Sequence, residues 1–164
     1  MYLAEYGQYA QEIYNPKSGL YASNPDLIII NIDIRTIAAD YFFLPYNRSI
    51  YERKDWASET ANFLSGLALE AVGVSSAKII LHNLEVPDYS SLGIMENKEE
   101  YGFVESIEDV NKILRDVFKR HNQIFLYDYN AFCARVGKDN ILDAKMYYMG
   151  DLKLKLQNLI PLCE

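Results

Sequence analysis

Residues 24–37, NPDLIIINIDIRTI, read as a buried β-strand: five of the six residues from Leu27 to Ile32 are Leu or Ile. A strand apolar on both faces needs cover on both sides, and a parallel sheet between helix layers supplies it. The stretch also carries Asp33 and Arg35 to its carboxyl end, where an Ile-rich strand has no packing use for charge.

Two further strands flank this reading. Residues 78–84, KIILHNL, form one, stopped by Pro87, and residues 123–127, QIFLY, form another. The intervals have helical period. Tyr2, Tyr6, Tyr9 and Ile13 recur on one helix face and stop before the Asn15-Pro16 turn signal. Over residues 51–72, Trp56, Thr60, Phe63, Leu64, Leu67 and Ala71 form a stripe, with Glu52, Arg53, Lys54 and Glu59 read as off it and Gly73 as the C-cap.

Residues 88–105 read as a long polar loop, with the acidic run 96–100 as its solvated part. Ser106, with Asp109 three positions on, opens a helix that buries Ile107, Val110, Ile113, Leu114, Val117 and Phe118. A short helix over residues 131–136 and a weakly amphipathic tail over 138–164 complete the chain. The alternation of helix and strand predicts one α/β domain over residues 1–164, a three-layer α/β/α sandwich with a mostly parallel sheet and right-handed crossovers.

Composition narrows the function. At 164 residues and 50% hydrophobic the chain closes one sizeable core. No apolar run approaches the ~20 residues needed to span a bilayer, and the N-terminus lacks the basic start and apolar block of a signal peptide. A membrane site is not expected, and the default compartment is the cytoplasm. The net charge of −7 offers no cationic footprint for nucleic acid. Cys133 and Cys163 lie far apart, without metal-ligand spacing, and read as free, mostly buried thiols. GxGxxG, GKS, GKT and HExxH motifs are all missing, which removes the standard dinucleotide, P-loop and zinc-hydrolase readings.

In open α/β sheets ligands bind beyond the carboxyl ends of the strands. That places Asp33 and Arg35 after the first strand, His82, Asn83 and Glu85 after the second, and Asp128 and Asn130 after the third. Two residues apart on a strand, Asp33 and Arg35 would project to the same side, and a guanidinium fork suits carboxylate or phosphate. The alternative is that Arg35 pairs with a neighbouring acid to hold the loop. His82, Asn83 and Glu85 are credible catalytic types, although a histidine at a strand end also serves as a hydrogen-bonded structural residue. His121, closing the helix that Ser106 opens, reads as a partner for its dipole.

The blocks EYGQYAQEIYNPKSGLY, NPDLIIINIDIRTI, ILHNLEVPDYSSLGI and FLYDYNAFCARVGKDNILDAKMYYMGDLKL, in this order, resemble the N-terminal domain of FkbH-like proteins of the haloacid dehalogenase (HAD) superfamily. The resemblance implies a flavodoxin-like, SGNH-hydrolase-like fold, followed in the family by a HAD phosphatase-type domain that binds Mg2+. No DLDNTLW-type motif occurs here, so no HAD chemistry and no cofactor are expected of this chain. The family's catalytic domain would follow residue 164 and its first strand would precede Met1, which leaves a truncated domain as the expectation.

The parent enzymes take a glyceryl unit from a phosphorylated glycolytic intermediate and load it, dephosphorylated, onto an acyl carrier protein for polyketide-type assembly; others act in surface-polymer pathways. The implied role of this portion is recognition of carrier protein or phosphorylated substrate, through Asp33, Arg35, Asn83, Glu85 and Asp143. The competing reading is an SGNH-type esterase or acyltransferase, with Asp33, Arg35, His82 and Asn83 as catalytic candidates. Aligned on the SGNH blocks, however, Asp33 and Arg35 replace the Gly and Asn of GxND. Met146 replaces the histidine of the DxxH that Asp143 would begin. A non-catalytic binding module is the third reading.

Overall fold

The computed structural model describes residues 1–150 and 153–163, and divides into two compact units, Met1–Tyr127 and Asp128–Glu164. In the first unit three strands, β1 (Leu27–Ile30), β2 (Lys78–His82) and β3 (Ile124–Tyr127), form a parallel sheet in the order β1-β2-β3. Helices α1 (Tyr9–Tyr14), α2 (Gly19–Ala22), α3 (Ile34–Ala38), α4 (Asp40–Phe43), α5 (Ile50–Val74) and α6 (Phe103–Phe118) flank it. The α/β class and the parallel pairing are those the sequence implies.

In register, Ile28 lies opposite Ile79 and Ile79 opposite Ile124; these three, with Ile30 and Leu81, are buried. Against this core pack Leu64, Leu67, Ala68 and Ala71 of α5 and Ile107, Val110 and Leu114 of α6, each at most 1% exposed. Helix α5 packs on α6, α1 and β2, and α6 on β3. The small residues of α5 let it approach closely. The alternate residues of the strands are not sealed in the same way: Leu27 is 47%, Ile29 60% and Phe125 52% exposed. The first strand is therefore buried on one face rather than two.

Several boundaries move from the sequence reading. Strand β1 stops at Ile30, and Asp33 is already the N-cap of α3, its Oδ1 accepting from the Arg35 N–H at 2.9 Å. Ile32 and Ile34 stay buried without strand geometry, so the apolar run outlasts the strand. Asp33 and Arg35 thus share a helix start, and the strand-alternation argument for their common direction does not apply. Gly7, at φ +75°, stands between the first tyrosines and α1, so Tyr2 and Tyr6 lie outside the helix.

Helix α5 begins with a capping box: the Glu52 N–H donates to Ser49 Oγ at 3.3 Å, and the Ser49 N–H donates to Glu52 Oε2 at 2.7 Å. The helix runs through Gly73 and ends at Ser75, in extended conformation. Arg53, read as off the buried stripe, is 4% exposed. It precedes Trp56 by three positions and so lies on the stripe. Helix α6 opens at Phe103 instead of Ser106. Ser106 is buried, donating to the Phe103 carbonyl at 2.6 Å and accepting from the Tyr41 hydroxyl at 3.0 Å.

The second unit holds α7 (Tyr129–Val136), α8 (Lys138–Ile141), α9 (Ala144–Gly150) and α10 (Leu159–Cys163), with an antiparallel bridge between Leu142 and Leu154. Asp128 caps α7, its Oδ1 accepting from the Ala131 N–H at 2.9 Å. Cys133 is buried and Cys163 exposed, and neither is in a disulfide. Of the tail over 138–164, residues 151, 152 and 164 lie outside the described residues. Among the described residues no helix is long and apolar enough to cross a membrane.

Ala39, between α3 and α4, adopts φ 48° and ψ −125°. A side chain in this region costs on the order of 1–3 kcal/mol of strain. Ala39→Gly removes the Cβ and is expected to raise the melting temperature by about 2–4 °C, the shift that ~1 kcal/mol produces in a chain of this size. Differential scanning calorimetry checks it; an unchanged or lowered midpoint shows that the turn carries no such strain.

Candidate functional site

Because the strands are parallel, the segments leaving β1 and β2 emerge at one edge. Ile30 pairs with Leu81 at their ends, so the turn carrying Asp33 and Arg35 and the segment carrying His82, Asn83 and Glu85 leave neighbouring strands. Asp143 belongs to the second unit, where its Oδ1 accepts from the Met146 N–H at 3.1 Å in the first turn of α9.

His82 is 9% exposed, with its ring 4.7 Å from that of Tyr127. Burial disfavours the imidazolium and pushes the pKa down to about 4. At neutral pH His82 is an uncharged hydrogen-bonding ring and a poor proton acceptor for catalysis, which works best near the operating pH. Asn83 is 4% exposed, and its N–H donates to the Tyr127 carbonyl at 3.0 Å, extending the β2–β3 ladder.

The next residue is held by a side chain that sequence reasoning missed. Asn111, buried on α6, accepts from the Leu84 N–H at 2.8 Å and donates through Nδ2 to the Leu84 carbonyl at 2.7 Å. One amide replaces a neighbouring strand and fixes the backbone between Asn83 and Glu85. The available signal was spacing: Asn111 follows Ile107 by four positions and precedes Leu114 by three, which sets a polar residue on the buried stripe of α6.

A second missed group is Glu96, read from the sequence as part of a solvated loop. It is 9% exposed and sits in the 3-10 turn Gly93–Lys98. Its carboxylate accepts from the hydroxyls of Tyr46 and Ser90 and, through Oε1, from the Val104 N–H at 2.9 Å, in the first turn of α6. Burial works against the charge, but hydrogen bonds from Ser90, Tyr46 and the backbone of Val104 and Phe103 outweigh it and lower the pKa. Gly102 makes room for this approach, because a Cβ there would collide with the carboxylate.

Around this latch the two long crossovers meet. Arg53 donates through Nη1 to the Arg48 carbonyl at 3.0 Å, lies 3.6 Å from Glu99 and covers the Tyr46 ring at 5.1 Å. Tyr41 packs against Trp56 at 4.5 Å and Phe103 at 5.2 Å, with Arg48 over its ring at 4.9 Å. A cleft of about 240 Å³ lies alongside, lined by Arg48, Glu52, Asp55, Trp56 and Glu59. Among the described residues no group of three or more His, Cys, Asp or Glu side chains could hold a metal ion.

Parallel strands joined by helical crossovers, with amides, a neutral imidazole and a guanidinium beyond the strand ends, define a flavodoxin-like α/β domain. Residues 1–163 match the family model described as "FkbH, N-terminal domain", and the chain belongs to that family. No curated protein matches it. Among solved structures the chain is similar to the crystal structure of the N-terminal part of protein BF1531 from Bacteroides fragilis, containing a phosphatase domain and complexed with Mg. The TM-score is 0.79 at 19% identity, over 96% of this chain. The chain spans 40% of that structure's length, and the likeness establishes the fold.

Glu96 sets an acid limit on stability. Its pKa is lower folded than unfolded, so its contribution is present above the unfolded carboxylate value and is lost as pH falls through the folded one. Glu96→Gln is expected to cost about 1–3 kcal/mol at pH 7 and to flatten the loss of stability below pH 5. Urea titrations of both proteins at pH 7 and pH 4 test this; equal midpoints at pH 7 would show that the latch adds nothing.

Proposed function

We propose that this chain is the recognition domain of an FkbH-type enzyme. It binds a phosphate-bearing ligand, either a phosphorylated three-carbon acid or the phosphopantetheine arm of an acyl carrier protein, and does not cleave esters itself. The observation that carries the reading is the position of Arg35 in the first turn of α3, just past β1, whose last residue Ile30 pairs with Leu81 of β2. A permanently charged guanidinium fork is suited to bind an anion.

The state of His82 supports binding over hydrolysis. A ring that loses its proton near pH 4 holds little imidazolium at neutral pH to donate to a leaving group. In this reading dephosphorylation and the Mg2+ it needs belong to a phosphatase part of a longer protein, and this domain presents substrate or carrier to it.

Amide correlation spectra titrated separately with a phosphorylated three-carbon acid, holo acyl carrier protein and apo carrier protein test the proposal. Shifts are expected at residues 33–35 and 82–85, and Arg35→Ala is expected to weaken binding by roughly tenfold, about 1.4 kcal/mol. Preference for holo over apo carrier identifies the arm as the source; response to the acid alone identifies the substrate. No shift at these residues with any of the three, or binding indifferent to Arg35→Ala, overturns it. Turnover of a p-nitrophenyl ester that is lost in His82→Ala would establish the esterase instead.

A further inference from the structure

Helix α6 carries a polar side chain, Asn111, on its apolar stripe, and that side chain is 5% exposed. An aliphatic residue there would add to the core, whereas a buried amide is tolerated only when it is hydrogen-bonded. The amide meets that condition on a single residue. It holds both backbone groups of Leu84, accepting from the N–H at 2.8 Å and donating to the carbonyl at 2.7 Å.

Leu84 lies where the sheet ceases to support the chain leaving β2. Strand β1 ends at Ile30, opposite Leu81, and β3 ends at Tyr127, opposite His82. The Tyr127 carbonyl still accepts from the Asn83 N–H at 3.0 Å. Among the described residues no strand pairs with Leu84, and the Asn111 amide supplies the donor and acceptor that a strand would. The Leu84 side chain is itself buried. Backbone and side chain of Leu84 are thus both held, and its neighbours Asn83 and Glu85 take their positions from it.

We propose that Asn111 is a positioning residue for the ligand: from inside the core it sets affinity by holding residues 83–85 in place before the ligand arrives. The proposal rests on the binding role given above and goes beyond it, because it assigns affinity to a side chain that the ligand does not touch. A segment ordered beforehand loses little conformational entropy on binding, whereas a loosened one has to be ordered by the ligand and weakens it. The residue type fits the task. An amide offers an acceptor and a donor side by side without charge; a carboxylate would face the Leu84 carbonyl with no donor, and a leucine would leave both backbone groups of Leu84 unsatisfied.

Amide hydrogen exchange and ligand titration of the whole chain test this together, with the phosphorylated three-carbon acid and holo acyl carrier protein as probes. In Asn111→Ala, exchange at the Leu84 amide is expected to accelerate roughly tenfold or more relative to Ile79 and Leu81. Affinity for the probe that the wild type binds is expected to fall roughly tenfold, the scale of ordering about one residue. Ile13→Val removes core packing on α1, away from the clamp. It is expected to lower the melting temperature and to leave the affinity of the folded protein unchanged.

Asn111→Asp gives a second variant, should the first fold poorly, and a readout that a purely structural role does not move. A protonated carboxyl keeps both bonds to Leu84; the ionised form loses the donor. Burial beside a carbonyl favours the protonated form, so affinity relative to wild type is expected to be higher at about pH 5 than at about pH 8. Wild type measured at each pH accounts for titration of the ligand and of other groups. Unchanged exchange at Leu84 or wild-type affinity in Asn111→Ala, or wild-type affinity of Asn111→Asp at both pH values, overturns this proposal and leaves the binding role standing. Binding of neither probe by the wild type removes the binding role and this proposal with it.

Discussion

The carboxyl edge of the sheet depends on one buried carboxylate. Glu96 ties three distant pieces of chain: Tyr46 in the turn before α5, Ser90 in the loop after β2, and the first turn of α6. An ionised group in such surroundings is tolerated only when hydrogen-bonded on both oxygens. Here two hydroxyls and a helix N-terminal N–H meet that condition, and the helix dipole adds to it. Without the latch, the twenty residues between β2 and α6 have no other buried charge to fix their course. Arg53 and Glu99 reinforce the same junction from α5.

Much of the frame was legible because it follows hydrophobic periodicity. The three strands, the long crossover and the stripe of α6 are where apolar spacing puts them, and Asp33 and Arg35 do stand just past β1. What escaped is what periodicity does not encode. Ile32 and Ile34 are buried as Ile28 and Ile30 are, although the backbone there is no longer a strand, so the run hid the helix that Asp33 caps. Arg53 has the right spacing for the buried stripe and was set aside for its charge. Glu96 looked like one acid among several, and only Gly102, six residues on, marks the space it occupies. Asn111 has the spacing of the buried stripe, but that spacing does not tell that its side chain replaces a strand partner.

The same residues bear on how the edge can act. Three of the acids singled out from sequence as candidates near strand ends or in the tail, Asp33, Asp128 and Asp143, accept from backbone N–H groups at helix starts. Such capping stabilises the turns that follow. His82 is held neutral by burial. Proton transfer at neutral pH needs a group that changes charge easily there, and His82 is not such a group. At the strand edge, Asn83 and the backbone that Asn111 holds present a fixed pattern of donors and acceptors.

The rigidity of that pattern comes from α6. Its first turn receives Glu96, its second turn buries Ser106 against Tyr41, and Asn111, one turn further, clamps Leu84. Together these contacts fix the connection that follows β2 at both ends, at Leu84 and at Glu96. The hydrophobic stripe of Ile107, Val110 and Leu114 fixes the helix on the sheet, so packing in the core sets the position of Asn83 and Glu85 at the edge. A ligand meeting this edge therefore encounters backbone and amide groups already ordered, which reduces the entropy lost on binding.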